Sequence, residues 1–192
     1  APIQYALMNN DSESGVCLME MVKKMDAGRV FALEKYPLSS DDNYQTSAVK
    51  LVESAKKLTD KYLQKYLDDE LEGKPQDEAL VTFAPSIKRE EEHIDINESI
   101  LKISGLIRAL SPNIGAYVIY KNQPLKIFKA ELVDRQVKGQ VGTFTKADKK
   151  GLHLQLKDGT LSLLELQKAG KKVVSYKDFI NGEKDLYGLK VE

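Results

Sequence analysis

Residues Met25 to Phe31 read "MDAGRVF" and stand between two runs of strand character, "SGVCLMEMV" (14–22) and "RVFALEKYPL" (29–38). An aspartate two places ahead of a glycine is ordinary turn chemistry, because both residues tolerate the backbone angles that a reversal needs. The same spacing suits an aspartate kept for its carboxylate. The local residues leave both readings open, and what surrounds Asp26 must choose between them.

Working outward, residues 1–10 predict a short helix with Ile3, Leu7 and Met8 on one side. In the run after Asp26, Val30, Ala32 and Glu34 alternate against Phe31, Leu33 and Lys35, and Pro37 ends the strand. "LSSDDN" (38–43) offers several helix caps. From Tyr44 to about Glu72 the pattern is helical, with Val49, Val52, Leu58, Tyr62, Leu63, Tyr66 and Leu67 recurring at three- and four-residue spacing, and Gly73 and Pro75 as its stop. "GKPQDEALVTFAPS" (73–86) has no helical period and carries two prolines, so it reads as an extended connector. "ESILKISGLIRAL" (98–110) is a second helix, closed by Ser111-Pro112.

Beyond Pro112 the rhythm shortens. "GAYVIY", "PLKIFKAELV", "GQVGTFT", "GLHLQL" and "GTLSLLEL" are separated by "KNQ", "DRQVK", "KADKK" and "KDG". Five short strands with turn chemistry between them predict a small closed β-barrel. "SYKDFING" (175–182) adds a terminal helix. The expected architecture is therefore mixed, α/β and α+β: residues 1–74 as a helix, two strands and a long helix, 75–87 as connector, and 88–192 as a barrel module.

The 192 residues are 42% hydrophobic and 30% charged, which is the composition of a soluble globular chain. No apolar run approaches the roughly 18 residues of a membrane span, and the start has no secretory pattern. Cys17, alone among apolar neighbours, reads as a core filler in a reducing compartment, which points to the cytoplasm. Net neutrality conceals an asymmetry: residues 1–85 hold 10 Lys/Arg against 15 Asp/Glu, and residues 86–192 hold 19 against 14. The basic half is suited either to phosphates or merely to solvated turns.

No complete catalytic set is visible. His93 and His153 lack a Cys or His partner at ligand spacing, so no metal site is expected. Glu90, Glu91 and Glu92 read as a solvated face, and "GQVG" lacks the Gly-Lys-Ser/Thr ending of a phosphate loop.

Taken in order, several segments resemble the methionyl-tRNA formyltransferase family over essentially the whole chain. "APIQYAL" is similar to the segment after that family's Ser-Leu-Leu-Pro stretch, and "DSESGVCLMEMVKKMDAGRVF" resembles its Thr-Gly-Val strand and Asp-Thr-Gly turn. "ALVTFAPSIKREEEHID" resembles its connector, "IRALSPNIGAY" the helix end that opens its second domain, and "LQKAGKKVVSYKDFING" its closing motif.

The resemblance implies a remnant of a Rossmann-like catalytic domain followed by an oligonucleotide-binding type of barrel. It implies transfer of a formyl group from 10-formyltetrahydrofolate, a co-substrate, to the amine of initiator methionyl-tRNA. On this reading Asp26 is catalytic, Glu20, Met21 and Val22 line the pterin pocket, and Lys88, Arg89, Arg108, Lys171 and Lys172 meet tRNA. Lys121, Lys126, Lys149 and Lys150 are further candidates for phosphate. The family's asparagine and histidine lie upstream of Ala1, so this chain is expected to be a C-terminal part, inactive alone, with residues 1–40 frayed or covered by another segment. Ala27 stands for the usual threonine, Arg29 for a common aspartate, and Ser86 where the connector usually has lysine. The alternatives are a folate-dependent formyltransferase acting on a sugar amine, and a non-catalytic tRNA-binding module.

Overall fold

The computed structural model describes residues 1–192. Helix α1 (Pro2–Met8) leads into strands β1 (Glu13–Met19) and β2 (Val30–Pro37), which pair antiparallel from Glu13↔Pro37 to Met19↔Val30 with a bulge at Leu18/Met19. The two strands form a sheet of their own. Within the chain this region is therefore an antiparallel ribbon, and the parallel ladder that a Rossmann-like reading entails is not seen. Cys17, expected in the core, is exposed on β1 of this ribbon, against which a long helix packs.

That helix is α2 (Tyr44–Leu67). Asn43 caps it: its side chain accepts from the Thr46 N–H at 3.0 Å, and Thr46 Oγ1 accepts from the Asn43 N–H at 3.0 Å. The helix ends at Leu67, six residues before Gly73. Asp69 takes a left-handed φ of 56°, the Glu70 N–H reaches the Lys65 carbonyl at 2.9 Å and the Asp69 N–H that of Tyr66 at 3.2 Å, a complete Schellman closure without glycine. Of the residues in the predicted apolar pattern, Leu58 is buried and four others are exposed. Ser47, Ser54 and Leu58 are buried, whereas Val49, Val52, Leu63 and Leu67 form a second apolar stripe that is exposed.

Helix α3 (Ile100–Leu110) starts at Ser99, whose side chain accepts from the Lys102 N–H, and Asp158 Oδ1 takes the Ile100 N–H at 2.8 Å. Its buried residues Ile100, Ile103, Ile107 and Leu110 lie against the second sheet. That sheet contains β3 (Ala116–Tyr120), β4 (Gln123–Asp134), β5 (Phe144–Asp148), β6 (Gly151–Leu156), β7 (Gly159–Lys168) and the short β8 (Val174–Ser175), in the order β3-β4-β7-β6-β5 with β8 beside β7. Helix α4 (Tyr176–Asn181) follows. Lys121 and Asn122 both have positive φ, 49° and 62°, which gives the two-residue turn from β3 to β4 the twist that matches its strands. β5 begins at Phe144, five residues later than "GQVGTFT" suggested, because residues 139–143 turn beneath buried Gln155. Gln155 Oε1 accepts from the Lys138 N–H at 2.9 Å, and its Nε2 donates to the Gly159 carbonyl at 2.9 Å.

The predicted closed barrel is not formed. β3 and β5 are the two edges of an open sheet, and residues 188–192 lie between them. Ile119 and Glu192 exchange backbone hydrogen bonds of 2.5 and 3.0 Å on one side. On the other, Phe144 donates to Leu189 at 3.1 Å and Val191 to Gly142 at 2.7 Å. The final residues satisfy edge groups that would otherwise face solvent.

The two modules meet where α1 crosses α3. A Cβ on Gly105 would lie 2.8 Å from the Leu7 and Met8 carbonyl oxygens, so the close approach requires glycine there.

Candidate functional site

Asp26 sits in the ten-residue passage from Met19 to Val30. Its φ of 54° is left-handed, a conformation that aspartate tolerates better than most residues, and Ala27 N–H turns back to the Lys24 carbonyl at 3.3 Å. The mouth of the passage is closed by the Glu20 N–H, which donates to the Arg29 carbonyl at 2.9 Å. Gly28 is buried against Glu20, and a Cβ there would stand 1.9 Å from the Glu20 carbonyl oxygen. The glycine of Asp-x-Gly is thus demanded by close backbone approach, while Asp26 itself is exposed.

Arg29, which stands where the resembling family has an acid, does not pair with Asp26. Its Nε donates to Glu20 Oε2 at 3.1 Å and its Nη2 to Glu20 Oε1 at 3.4 Å, and the guanidinium lies 5.8 Å from the Phe31 ring centre. The hydrogen bond with Arg29 lowers the Glu20 pKa. Of the three residues expected at a pterin pocket, Glu20 is held in this ion pair, and Met21 and Val22 are exposed on the same passage, Met21 at 92%. An exposed methionine and valine beside a carboxylate leave an apolar and acidic surface next to Asp26.

Neither histidine is among the contacts of this passage. His93 Nε2 is 3.2 Å from the Glu192 carbonyl, and its ring lies 5.1 Å from that of Tyr117. His153 lines a cleft of about 460 Å³ in the second module with Asp134, Lys138, Lys146 and Tyr187. Burial, then Lys146 beside it, lowers the His153 pKa.

The expected tRNA residues divide. Lys88, Arg89, Lys171 and Lys172 are exposed, as are Lys149 and Lys150 in the turn between β5 and β6. Arg108 is engaged within the chain: Nη1 donates to the Ser39 and Asp42 carbonyls at 3.4 and 3.1 Å, and Nη2 to the Leu7 carbonyl and Asn10 Oδ1 at 3.3 and 2.8 Å. Lys121 pairs with Glu183 at 2.8 Å, and Lys126 donates to the Ile114 carbonyl at 2.5 Å.

Two carboxylates that the sequence did not single out are electrostatic nodes. Burial opposes ionisation of Asp42, but hydrogen bonds from Lys50 (2.6 Å), the Ser39 N–H (2.7 Å) and hydroxyl (3.0 Å), and Thr46 (3.0 Å) outweigh it and hold its pKa down to about 2. Glu183 is half-buried, and burial again opposes ionisation, yet Lys121, Lys168 and the Tyr120 hydroxyl hold its pKa down to about 2. A third residue missed by sequence reasoning is Gln76, whose Nε2 donates to the Asp26 and Gly28 carbonyls at 2.8 Å each. No local pattern marks a contact fifty residues long.

Residues 86–184 match the family described as Formyl transferase, C-terminal domain. The chain belongs to the formyl transferase family. Among the curated relatives of this formyl transferase chain is a methionyl-tRNA formyltransferase of Lactobacillus gasseri, 39% identical over 183 residues, which cover 95% of the chain and 58% of that protein. A homologue from Dictyoglomus turgidum of the same name is 40% identical over 185 residues, covering 95% of the chain and 59% of the homologue. The chain therefore spans a little over half the length of these relatives. In fold it is similar to HypX from Aquifex aeolicus in complex with tetrahydrofolic acid, with a TM-score of 0.69 at 16% identity over 93% of this chain and 32% of that one.

Proposed function

We propose that the chain is the C-terminal part of a methionyl-tRNA formyltransferase, with residues 1–74 the end of a Rossmann-like catalytic domain, 75–87 a connector and 88–192 an oligonucleotide-binding type of module for tRNA. The observation that carries this reading is identity near 39% to proteins of that name along 95% of the chain. In the proposed reaction the methionyl amine of initiator tRNA attacks the formyl carbon of 10-formyltetrahydrofolate. A C–N bond forms to the amine, the bond from the formyl carbon to the folate nitrogen breaks, and the proton lost by the amine ends on that nitrogen, which leaves as the N–H of tetrahydrofolate. Asp26 orients a histidine or water that takes that proton, and its charge favours the cationic partner. Glu20, Met21 and Val22 border the pterin. A tetrahydrofolate complex of a protein of similar fold supports folate as the carrier, and the proposed setting is the cytoplasm.

On this reading Lys88, Arg89, Lys171 and Lys172 follow the phosphates, while Arg108 orients the module that presents them. A sugar-amine formyltransferase is the second reading, and a tRNA-binding module without catalysis the third. Titrating this chain with initiator tRNA at increasing salt tests the tRNA assignment. Affinity should fall steeply with salt, and Lys171→Ala with Lys172→Ala should reduce the slope of log K against log salt by about 2. The chain alone should transfer no formyl group. A salt slope unchanged by the double substitution removes these lysines from the interface, and preference of the complete protein for an amino-sugar nucleotide over tRNA selects the second reading.

A further inference from the structure

The extended connector runs antiparallel along the passage that carries Asp26. Lys74 exchanges backbone hydrogen bonds with Val30 at 2.8 and 2.9 Å. Gln76 Nε2 donates to the carbonyls of Asp26 and Gly28, and Glu78 Oε1 receives Lys24 Nζ at 3.1 Å. Connector residues 74, 76 and 78 thus meet 30, then 28 and 26, then 24. The segment is extended through Gln76, and Glu78 opens a short 3-10 turn (Glu78–Leu80) whose first side chain reaches Lys24. Between Val30 and Lys24 the passage leaves strand geometry at Asp26, where φ is 54°, so no backbone ladder continues there. The amide of Gln76 replaces it, giving both of its N–H groups to the two carbonyls that flank Ala27.

We infer that Gln76 is a positioning residue for Asp26, and that the connector sets where the Asp26 carboxylate points. This rests on the catalytic reading of Asp26. A donor on the Asp26 carbonyl fixes the 26–27 peptide plane, and with it the direction of the Asp26 Cα–Cβ bond, while the donor on the Gly28 carbonyl holds the 28–29 plane two residues on. The opposite side of the passage is fixed by Gly28, which lies in contact with the Glu20 backbone. Held from both sides, Asp26 has one seat. Without the amide, the peptide planes turn toward water, and displacement of a reacting group by about 1 Å costs on the order of 100-fold in rate.

The test uses the complete formyltransferase with three substitutions. Gln76→Met keeps the length and removes both donors, Gln76→Lys keeps a donor, and Asp26→Asn reports on the underlying reading. Gln76→Met should lower kcat about 10- to 100-fold, leave KM for folate and tRNA within about threefold, and leave Tm unchanged, because the side chain is exposed. Gln76→Lys should recover most of kcat. A kcat for Gln76→Met within twofold of wild type overturns the proposal, as does a loss accompanied by a large fall in Tm or one that Gln76→Lys does not relieve. Full activity of Asp26→Asn overturns the catalytic reading itself. An inactive Asp26→Asn beside a fully active Gln76→Met overturns the positioning role alone.

Discussion

Arg108 on α3 donates to the Asp42 carbonyl at 3.1 Å, and the carboxylate of that same Asp42 receives Lys50 at 2.6 Å. One residue ahead of the α2 cap thus joins the second module to the first through its backbone and anchors its own helix through its side chain. Burial lowers the Arg108 pKa, and the charges of Asp42 and Asp41 act in the opposite direction. Four acceptors converge on one planar guanidinium, a geometry that lysine does not reproduce. Arg108→Ala should cost about 2–4 kcal/mol in urea unfolding, and Arg108→Lys should recover less than half of that. A loss below about 0.5 kcal/mol would show that the junction does not depend on this residue.

Glu183 makes acid stability legible. Its folded pKa of about 2 lies below the ordinary carboxylate value of 4.5, so the folded state binds fewer protons between those values. The stabilisation is fully present above about pH 4.5 and is lost as pH falls toward 2. Glu183→Gln should therefore destabilise the chain at pH 7 by about 1–3 kcal/mol, since it removes charge-assisted bonds to Lys121 and Lys168. The difference from wild type should shrink as pH approaches 2. Unfolding free energies measured across pH 2–7 check this, and a difference that stays constant with pH would contradict it.

Ser47 is fully buried near the start of α2, and its hydroxyl has no hydrogen-bond partner. Ser47→Ala removes an unsatisfied polar group and substitutes a better helix former, so it should stabilise the chain by about 0.5–1.5 kcal/mol in thermal or urea unfolding. Destabilisation would mean that the hydroxyl finds a partner in solution.

Much of the fold was legible because its signals are local. Alternation marked β6 at Gly151–Leu156 without error, and Ser111-Pro112 marked the end of α3. The α2 stripe was misread because that helix is apolar on two opposite faces. Periodicity cannot say which is buried: Ser47 and Ser54 lie inward while Val49 and Val52 lie outward. Cys17 failed for a related reason, since a half-covered ribbon exposes one side of every strand. The open sheet was missed because residues 188–192, which have no strand pattern, stand between its edges. At the site, Asp26 was singled out by the family resemblance and not by the Asp-x-Gly spacing, and neither Gln76 on its carbonyl nor Arg29 on Glu20 leaves a mark in nearby residues.

The catalytic standing of Asp26 is tested most directly by the rate of formyl transfer to initiator methionyl-tRNA in the complete formyltransferase carrying Asp26→Asn. The substitution preserves the size of a side chain that is exposed and lies outside the core, so folding and tRNA binding should be unchanged. The expected result is a fall in kcat of about 1,000-fold or more with KM values close to wild type. Turnover within tenfold of wild type would return Asp26 to the role of an ordinary turn residue.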